Sequence, residues 1–311
     1  MKTLSKSNAI TATKKIGNRK GKESLTAYLC LIPAFLGLSI ISYIPTIAVF
    51  VLSLFEWNGL TTPQFIAFDN FVRIFTRDMY FYDSVRVTII YAFISVVGSL
   101  LYSLIIALLL NRKIPARPFW RAVFFIPYML PAAGVFTSWR WLYEVNYGLL
   151  NYILRLLGLP PQQFVQSASQ VLPSLALIAV WCSGNLIVIF LASLQNVPRV
   201  YLEAAEIDGA NAWQRFRHVT IPSISPIIFY NLLMALITNM QVITPALAMT
   251  DGGPQNGSMF MSYMIYLFGF QKNKLGYASA YAVVFFVIVG IFTVILFKTF
   301  GSNFFGSGGE K

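Results

Sequence analysis

The chain has 311 residues, of which 57% are hydrophobic and only 11% are charged, with a formal net charge of +12 and a mean hydropathy of +0.67. A soluble globular domain is typically about 25% charged, so this composition excludes an ordinary soluble enzyme and indicates apolar surface that faces lipid. The two cysteines, Cys30 and Cys182, lie in separate apolar runs without metal-ligand spacing, so we expect neither a disulfide nor a metal site.

The N-terminal segment, residues 1–24, is polar and basic, and the apolar run behind it holds no charged residue from Leu25 to Phe55. That run is longer than the roughly 7–15 apolar residues at the centre of a signal peptide. We therefore expect a cytoplasmic basic tail followed by an uncleaved first span. A transmembrane domain is expected over residues 25–300, and the glycine-rich residues 301–311 are predicted to form a disordered tail.

Six apolar runs without charge are long enough to cross a bilayer, because a helix needs about 20 such residues to span the hydrocarbon layer. They lie near residues 27–52, 87–111, 122–139, 174–195, 225–248 and 275–297. Proline interrupts several of these runs, and membrane helices tolerate such kinks when neighbouring groups satisfy the freed carbonyls. The sequence predicts an all-α membrane protein with about six transmembrane helices.

Lys and Arg residues are most frequent in the segments that share a side of the membrane with the N-terminus. Besides the tail, these segments are the connection at residues 112–121 and the loop at residues 199–217. Cytoplasmic loops carry such a basic excess, so both termini are predicted to be cytoplasmic. The net charge of +12 then needs no nucleic acid as a partner.

The segment Arg199–Pro222, between the fourth and fifth runs, is the most informative part of the sequence. Its pattern predicts a short helix from about Arg199, a turn at Gly209, and a second helix that Pro222 closes off. Ala204 and Ala205 are small enough to let another protein approach the helix backbone. Its polar residues are acidic, whereas helices that rest on a membrane surface usually carry Lys and Arg. A docking site for a partner protein is therefore a better interpretation than an amphipathic linker on the headgroups.

Within this segment, Glu203-Ala204-Ala205, Asp208-Gly209-Ala210 and Ile221-Pro222 resemble the signature of permease subunits in binding-protein-dependent ABC importers. The family usually has Leu-Pro at the end of the signature, so Ile221-Pro222 is a small departure. The resemblance implies a type I ABC importer permease fold in which residues 199–222 carry the cytoplasmic coupling helix. It also implies an ATPase-coupling site that faces a groove on a separate ATPase and consists of Glu203, Ala204, Ala205, Asp208 and Gly209.

Four further motifs extend the resemblance over nearly the whole chain. They are Phe68-Asp69-Asn70-Phe71, Tyr147-Gly148-Leu149-Leu150-Asn151, Thr250-Asp251-Gly252-Gly253-Pro254 and Gly276-Tyr277-Ala278-Ser279-Ala280. In order and spacing they are similar to the maltose-type and glycerol-phosphate-type branch of sugar-importer permeases. The resemblance implies a second homologous permease, an ATPase dimer, an extracytoplasmic solute-binding protein, a sugar substrate, and a bacterial or archaeal cytoplasmic membrane.

The chain lacks the phosphate-binding loop GxxxxGK followed by Ser or Thr. Its Gly21-Lys22 pair is followed by Glu23 and preceded at the required spacing by Ile16. We therefore expect no enzyme activity and no cofactor in this chain, with ATP and Mg²⁺ bound by the partner ATPase. The single histidine, His218, lies in the coupling segment. No acidic pair lies within a predicted span, which argues against an ion-coupled carrier.

Neutral sugars are held by uncharged polar groups and aromatic faces, and the predicted spans offer few of these. The candidate substrate-binding residues are Trp181, Asn185, Asn231, Asn239 and Gln241. Trp181 and Asn185 are four residues apart and are predicted to share a helix face. A polar group in the bilayer core needs a partner, so both interhelical hydrogen bonding and substrate contact are open for these side chains.

Two other functions fit parts of the pattern. One is an ABC importer permease for a non-sugar solute such as phosphate or an amino acid, which the sugar-type motifs and the lack of basic residues within the spans disfavour. The other is a membrane scaffold or secondary carrier that works without an ATPase. The sequence favours the permease subunit of an ATP-driven importer, and the branch that it resembles favours an oligosaccharide as the substrate.

Overall fold

The computed structural model describes residues 28–301, so the tail predicted at residues 1–24 and all but the first residue of the tail predicted at 301–311 lie outside the described residues. The regular structure over the described range is helical except for one short hairpin. The first helices are α1 (Tyr28–Leu52), α2 (Asp69–Thr76), α3 (Phe81–Asn111), α4 (Arg117–Met129), α5 (Ala132–Leu142) and α6 (Leu149–Leu156). The others are α7 (Val171–Trp181), α8 (Gly184–Gln195), α9 (Arg199–Ile207), α10 (Ala212–Met240), α11 (Met261–Tyr266) and α12 (Leu275–Phe300). Strands β1 (Phe55–Glu56) and β2 (Gln64–Phe65) pair antiparallel between α1 and α2.

Four single helices, α1, α3, α10 and α12, are long and apolar enough to cross a membrane. With the bent pairs α4–α5 and α7–α8 each counted as one span, the described residues contain six. The predicted all-α fold with about six spans is therefore confirmed. The fifth span differs most from its predicted range of 225–248, because α10 begins at Ala212 and ends at Met240. Residues Ala246–Thr250 form a separate π-helical turn.

The third span is the most strongly bent, since α4 and α5 meet at an angle of 97°. Between them, Leu130 takes an extended conformation with a ψ of 144°. Leu130 precedes Pro131, and the residue before a proline is disfavoured in the helical region. One charge-free run of sequence therefore becomes two short helices that run in different directions.

The fourth span bends by 48° between α7 and α8. At this bend α8 lies close to α4, and a Cβ added to Gly184 would come within 2.8 Å of the Phe124 carbonyl oxygen. The adjacent Ser183 hydroxyl lies 2.9 Å from the hydroxyl of Ser103 on α3. Close backbone approach and interhelical hydroxyl contacts are typical of membrane helix packing, and here they fix the position of the bend.

The second helix of the coupling segment does not end at Pro222. It continues through the proline into the fifth span as α10, so the predicted stop is wrong. A π-helical turn, Phe216–Thr220, lies directly before the proline, and the Ile221 N–H donates to the Phe216 carbonyl oxygen five residues back. This wide turn accommodates a ring that would clash with the carbonyl four residues earlier in a regular α-helix.

Helix α3 lies at the centre of the bundle and packs against α7, α8 and α10. Its buried face carries small hydroxyl side chains at Ser84, Thr88, Ser95, Ser99 and Ser103. At one end, which we call the hairpin end, the bundle carries the β1–β2 hairpin and α2. At the other, which we call the coupling end, α9 follows α8. Buried residues of α3, α8 and α10, including Leu110, Leu194 and Ile224, form the core just above the coupling end.

Candidate functional site

The coupling segment folds into a short helix and a tight turn. After α9, Gly209 takes a positive φ of 79°, and its N–H donates to the Glu206 carbonyl oxygen at 3.1 Å. The Ala210 N–H donates to the Ala205 carbonyl oxygen at 2.9 Å. Together these bonds form a Schellman motif, which satisfies the last carbonyls of a helix and favours glycine at this position. The predicted turn at Gly209 is therefore present in the structure.

The residues after the turn brace it against α10. Asn211 caps α10 through a capping box with Gln214, whose backbone N–H donates to the Asn211 side chain at 2.9 Å. Across the turn, the Arg215 guanidinium lies 2.8 Å from the Glu206 carboxylate. This ion pair joins α9 to α10 directly across the turn.

The predicted ATPase-coupling residues lie on the surface of this segment. Glu203, Ala204, Asp208 and Gly209 are exposed, and Ala205 is half-buried. Neither carboxylate of Glu203 and Asp208 forms an ion pair within residues 28–301. Their charge is therefore free to meet a partner, whereas that of Glu206 is already used inside the segment.

Sequence reasoning missed the apolar side chains that surround these residues. Ile207 is 87% exposed, Val200 70% and Trp213 65%, and Tyr201 is also exposed. Exposed apolar patches on a folded protein mark sites of protein or membrane contact. The available signal was that Val200 and Ile207 are three and four residues from Glu203, and so lie with it on the polar face of α9. A partner that docks here would bury apolar surface as well as meet acidic charge.

The candidate substrate-binding residues lie on three helices and differ in exposure. Trp181 ends α7 and makes an edge contact with Trp139, with ring centroids 5.6 Å apart. Asn185 lies in the first turn of α8, beyond the bend. Because α7 ends at Trp181, the two residues do not lie on one continuous helix, and the prediction that they share a helix face is wrong.

The two candidates near the end of α10 are accessible. The Asn239 amide donates to the Ala235 carbonyl oxygen of its own helix at 2.8 Å, and Gln241 is exposed at the C-cap. Neither side chain makes an interhelical hydrogen bond among the described residues. Both therefore keep polar atoms for water or a ligand.

Asn231, in the middle of α10, is fully buried, with 0% of its surface exposed. Neither its Nδ2 nor its Oδ1 atom has a hydrogen-bond partner in the described part of the chain. A buried polar group without a partner costs about 1–3 kcal/mol. The structure thus gives Asn231 neither the interhelical bond nor the open cavity that the sequence left as alternatives.

A polar groove of about 990 Å³ opens at the hairpin end and was not predicted. Its aromatic lining includes Trp57 and Tyr277, and its cations include Arg77, Lys272 and Lys274. None of these three cations forms an ion pair within the described residues. The carboxylates of Glu56 and Asp78 also line the groove, so it presents basic, acidic and aromatic side chains with an excess of basic groups.

Two of the four family-like motifs hold the loops at the hairpin end together. The Asn70 amide donates to the carbonyl oxygens of Ser53 and Phe55, at 2.9 and 3.0 Å. Tyr277 donates its hydroxyl proton to Asp78 at 2.8 Å.

The two remaining motifs play the same part in their own loops. Asn151 exchanges hydrogen bonds with both backbone groups of Gln162, at 2.9 and 2.8 Å. Gly252 takes a positive φ of 84° in the loop after α10. These motif residues position loops, so the similarity they carry is a similarity of fold.

The comparison with protein families decides which fold this is. The family described as the binding-protein-dependent transport system inner membrane component matches residues 103–302, more than half of the chain. The chain belongs to this family. The matched range includes the coupling segment, four of the six spans in full and the last nine residues of α3, so the resemblance drawn from the sequence motifs is confirmed. As an inner membrane component of such a system, the chain is a multi-pass membrane permease.

Relatives and solved structures agree with this assignment over almost the full length. A probable ABC transporter permease of Bacillus subtilis, YesP, is 36% identical over 282 residues, covering 89% of this chain and 91% of the relative. The trehalose/maltose transport system permease MalF of Thermococcus litoralis is 27% identical, covering 90% and 95%. A chain of the bacterial alginate ABC transporter, solved in complex with an alginate pentasaccharide-bound periplasmic protein, matches with a TM-score of 0.77 at 21% identity, covering 89% and 94%. This last likeness confirms the predicted ABC importer permease fold.

Proposed function

We propose that this permease is the membrane-spanning subunit of an ATP-driven importer that moves a sugar, delivered by an extracytoplasmic binding protein. The observation that carries the proposal is the braced coupling segment, which exposes acidic and apolar side chains at one end of a family-matched bundle. The trehalose/maltose permease among its relatives supports a sugar substrate over phosphate or an amino acid.

In this proposal, α9 docks into a groove on a separate ATPase through Glu203, Ala204, Ala205 and the Gly209 turn. Closure of the ATPase dimer on ATP and Mg²⁺ pushes α9, and the push passes to α10 through the ion pair between Glu206 and Arg215. Helix α10 has 29 residues, a length of about 43 Å, so it carries the displacement across the membrane. A second homologous permease completes the pathway, which opens alternately to each side.

The binding protein is proposed to dock at the hairpin end, opposite the coupling segment. The groove there offers free cations and aromatic rings for an acidic or saccharide-bearing surface. In the bundle, the accessible candidates for sugar contact are Trp181, Asn185, Asn239 and Gln241. Asn231 joins them only in a conformation that exposes its side chain, because it is fully buried here.

The test is ATP-dependent uptake by the reconstituted complex with a panel of labelled oligosaccharides, comparing the unmodified chain with Gly209→Pro. Gly158 supplies a matched control, because it also follows a helix at positive φ, here 71°. It too has no atom within 4 Å of an added Cβ, but it lies in the connection after α6, outside the coupling segment. Proline cannot adopt either conformation, so both variants lose the same local turn.

We expect uptake to collapse in Gly209→Pro and to persist in Gly158→Pro, with both complexes inserted in the membrane. The oligosaccharide taken up defines the substrate class. Uptake that continues without ATP, or that ignores the Gly209 change, contradicts the importer and favours a secondary carrier. Uptake of phosphate or amino acids instead of sugars would leave the coupling mechanism standing and overturn the sugar assignment.

A further inference from the structure

Two arginines at the start of α4 converge on one amide at the end of α8. With its amide turned to satisfy both guanidinium groups, the Gln195 side-chain oxygen accepts from Arg117 at 2.9 Å and from Arg121 at 2.7 Å. Arg117 also donates through Nε to the Leu110 carbonyl oxygen at 2.6 Å. A neutral amide therefore positions two cations side by side without cancelling their charge.

The charge of this pair is uncompensated. Within residues 28–301, neither Arg117 nor Arg121 forms an ion pair with a carboxylate. The preceding connection adds two more exposed cations, Arg112 and Lys113, and the sequence has no acidic residue between Asp83 and Glu144. Such a concentration of like charge is stabilised by an anionic ligand.

An apolar cleft leads away from the two arginines into the bundle. Its volume is about 150 Å³. Arg121 and Gln195 lie in its lining, and the other lining residues are Leu110, Phe125, Gly184, Ile187, Val188, Leu191 and Ala192. Gly184, where α4 and α8 approach closely, is itself one of the lining residues. It combines a cationic mouth with a hydrocarbon-like interior.

The surroundings of the mouth are those of a membrane interface. Phe119 is 61% and Trp120 42% exposed, on the same first turns of α4 as Arg117 and Arg121. Aromatic and basic residues together are typical of the headgroup level of a membrane. Basic pockets between transmembrane helices on the cytoplasmic side bind anionic lipid headgroups.

We propose that this cleft binds one anionic phospholipid, with its phosphate between Arg117 and Arg121 and an acyl chain against Phe125, Val188 and Ala192. Free phosphate shares the headgroup chemistry but leaves the apolar cleft unfilled, so the lipid fits the whole site. Gln195 lies at the end of α8, and α9 begins at Arg199. The lipid therefore binds at the base of the coupling segment and holds the ends of α4 and α8 together there.

The probe is phosphatidylglycerol, added to the full-length chain in detergent and counted by native mass spectrometry against equal phosphatidylcholine. Arg121→Gln removes one headgroup contact and leaves the Arg117–Leu110 bond intact. Ala192→Phe fills the cleft without changing charge. Arg112→Gln is the control, since it removes one exposed cation of the same connection that does not line the cleft.

We expect the unmodified chain to retain phosphatidylglycerol in preference to phosphatidylcholine. Affinity should fall roughly 5- to 10-fold in Arg121→Gln, at least as much in Ala192→Phe, and less than 2-fold in Arg112→Gln. Millimolar inorganic phosphate should not displace the lipid.

Five results would overturn the site. Equal losses in Arg121→Gln and Arg112→Gln would show diffuse attraction of lipid to the basic surface. Undiminished binding in Ala192→Phe, or displacement of the lipid by phosphate, would show an anion contact without an acyl site. No preference for phosphatidylglycerol over phosphatidylcholine would exclude an anionic lipid as the ligand. Loss of the lipid when the second permease assembles with the chain would show that a protein surface covers the cleft.

Discussion

The two ends of this permease use their polar side chains in opposite ways. At the hairpin end, polar side chains bond within the chain. The Asn70 amide donates to two backbone carbonyls, and the Asp78 carboxylate accepts from two tyrosine hydroxyls. At the coupling end, Glu203 and Asp208 are exposed without an ion pair in the described range, and Ile207 projects into solvent. Both ends carry family-like motifs, but the motif carboxylates Glu203 and Asp208 of the coupling end are exposed, whereas Asn70 at the hairpin end is buried.

This difference separates motifs that maintain the fold from motifs that act. A side chain with all of its hydrogen bonds inside the chain contributes to stability, and its loss is felt in unfolding. A side chain with unused groups on an exposed, braced element contributes little to stability, and its loss is felt in function. The two classes can be told apart by measuring both quantities in matched variants.

The largest expected effect on stability comes from Asn151→Leu. Asn151 is fully buried and bonds both the N–H and the carbonyl of Gln162, so the change leaves two backbone groups without partners. We expect a loss of about 2–4 kcal/mol in the free energy of unfolding, seen as a lower Tm of the detergent-solubilised chain. Asn146→Leu, an exposed change in the same loop, is the control and should leave the Tm within about 1 °C.

Asn231→Leu should act in the opposite direction, although Asn231 is as deeply buried as Asn151. Its amide has no partner in the described residues, so a leucine of similar size removes an unsatisfied polar group from the bundle. We expect a gain of about 1–2 kcal/mol and a higher Tm. Asn239→Leu, where the amide bonds only to its own helix, should change stability by less than half as much. A lower Tm in Asn231→Leu would show that a bound water or ligand satisfies this amide.

The contrast between these two asparagines marks the limit of what the sequence could predict. The number of spans, the fold class and the coupling turn could be predicted from the sequence, because the length of charge-free runs and the Glu203–Gly209 pattern are local properties. Whether Asn151 or Asn231 finds a partner depends on another segment of the chain. The hairpin-end groove is equally non-local, since Tyr277 and Asp78 are 199 residues apart.

The two wrong predictions about helix geometry also have physical causes. Pro222 was expected to stop a helix, but the π-helical turn before it absorbs the ring. Trp181 and Asn185 were expected to share a face, but Gly184 lets α4 press against α8 and the helix bends there. In the first case an adjacent turn of the same helix overrides the local rule, and in the second the packing of another helix does.

Asp78→Asn should give a smaller loss. The carboxylate accepts from Tyr277 at 2.8 Å and from Tyr281 at 3.1 Å, and hydrogen bonds to a charged acceptor are stronger than neutral ones. An asparagine keeps one acceptor oxygen and loses the charge, so we expect about 1 kcal/mol of destabilisation in a thermal unfolding series. Asp69→Asn removes only an exposed ion pair with Arg73 and should cost less than about 0.5 kcal/mol. Equal losses in the two variants would contradict the view that the tyrosine contacts lock the hairpin end.

Ile207→Asp should have the smallest effect on stability and a large effect on transport. Ile207 is 87% exposed at the end of α9, and Leu60 is 89% exposed at the opposite end of the bundle, so Leu60→Asp is a matched control for stability and for co-purification of the ATPase. Neither change buries a charge within the chain, and both should stay within about 0.5 kcal/mol of the unmodified free energy of unfolding. In Ile207→Asp alone, the added carboxylate would be buried against the ATPase, so we expect ATP-dependent uptake and co-purification of the ATPase to fall at least tenfold. If both variants transport normally, α9 does not bury its apolar tip in a partner. If both fail alike, exposed apolar surface has the same role at the two ends. The contrast between a hairpin end whose polar groups bond within the chain and a coupling end whose groups are exposed is then wrong.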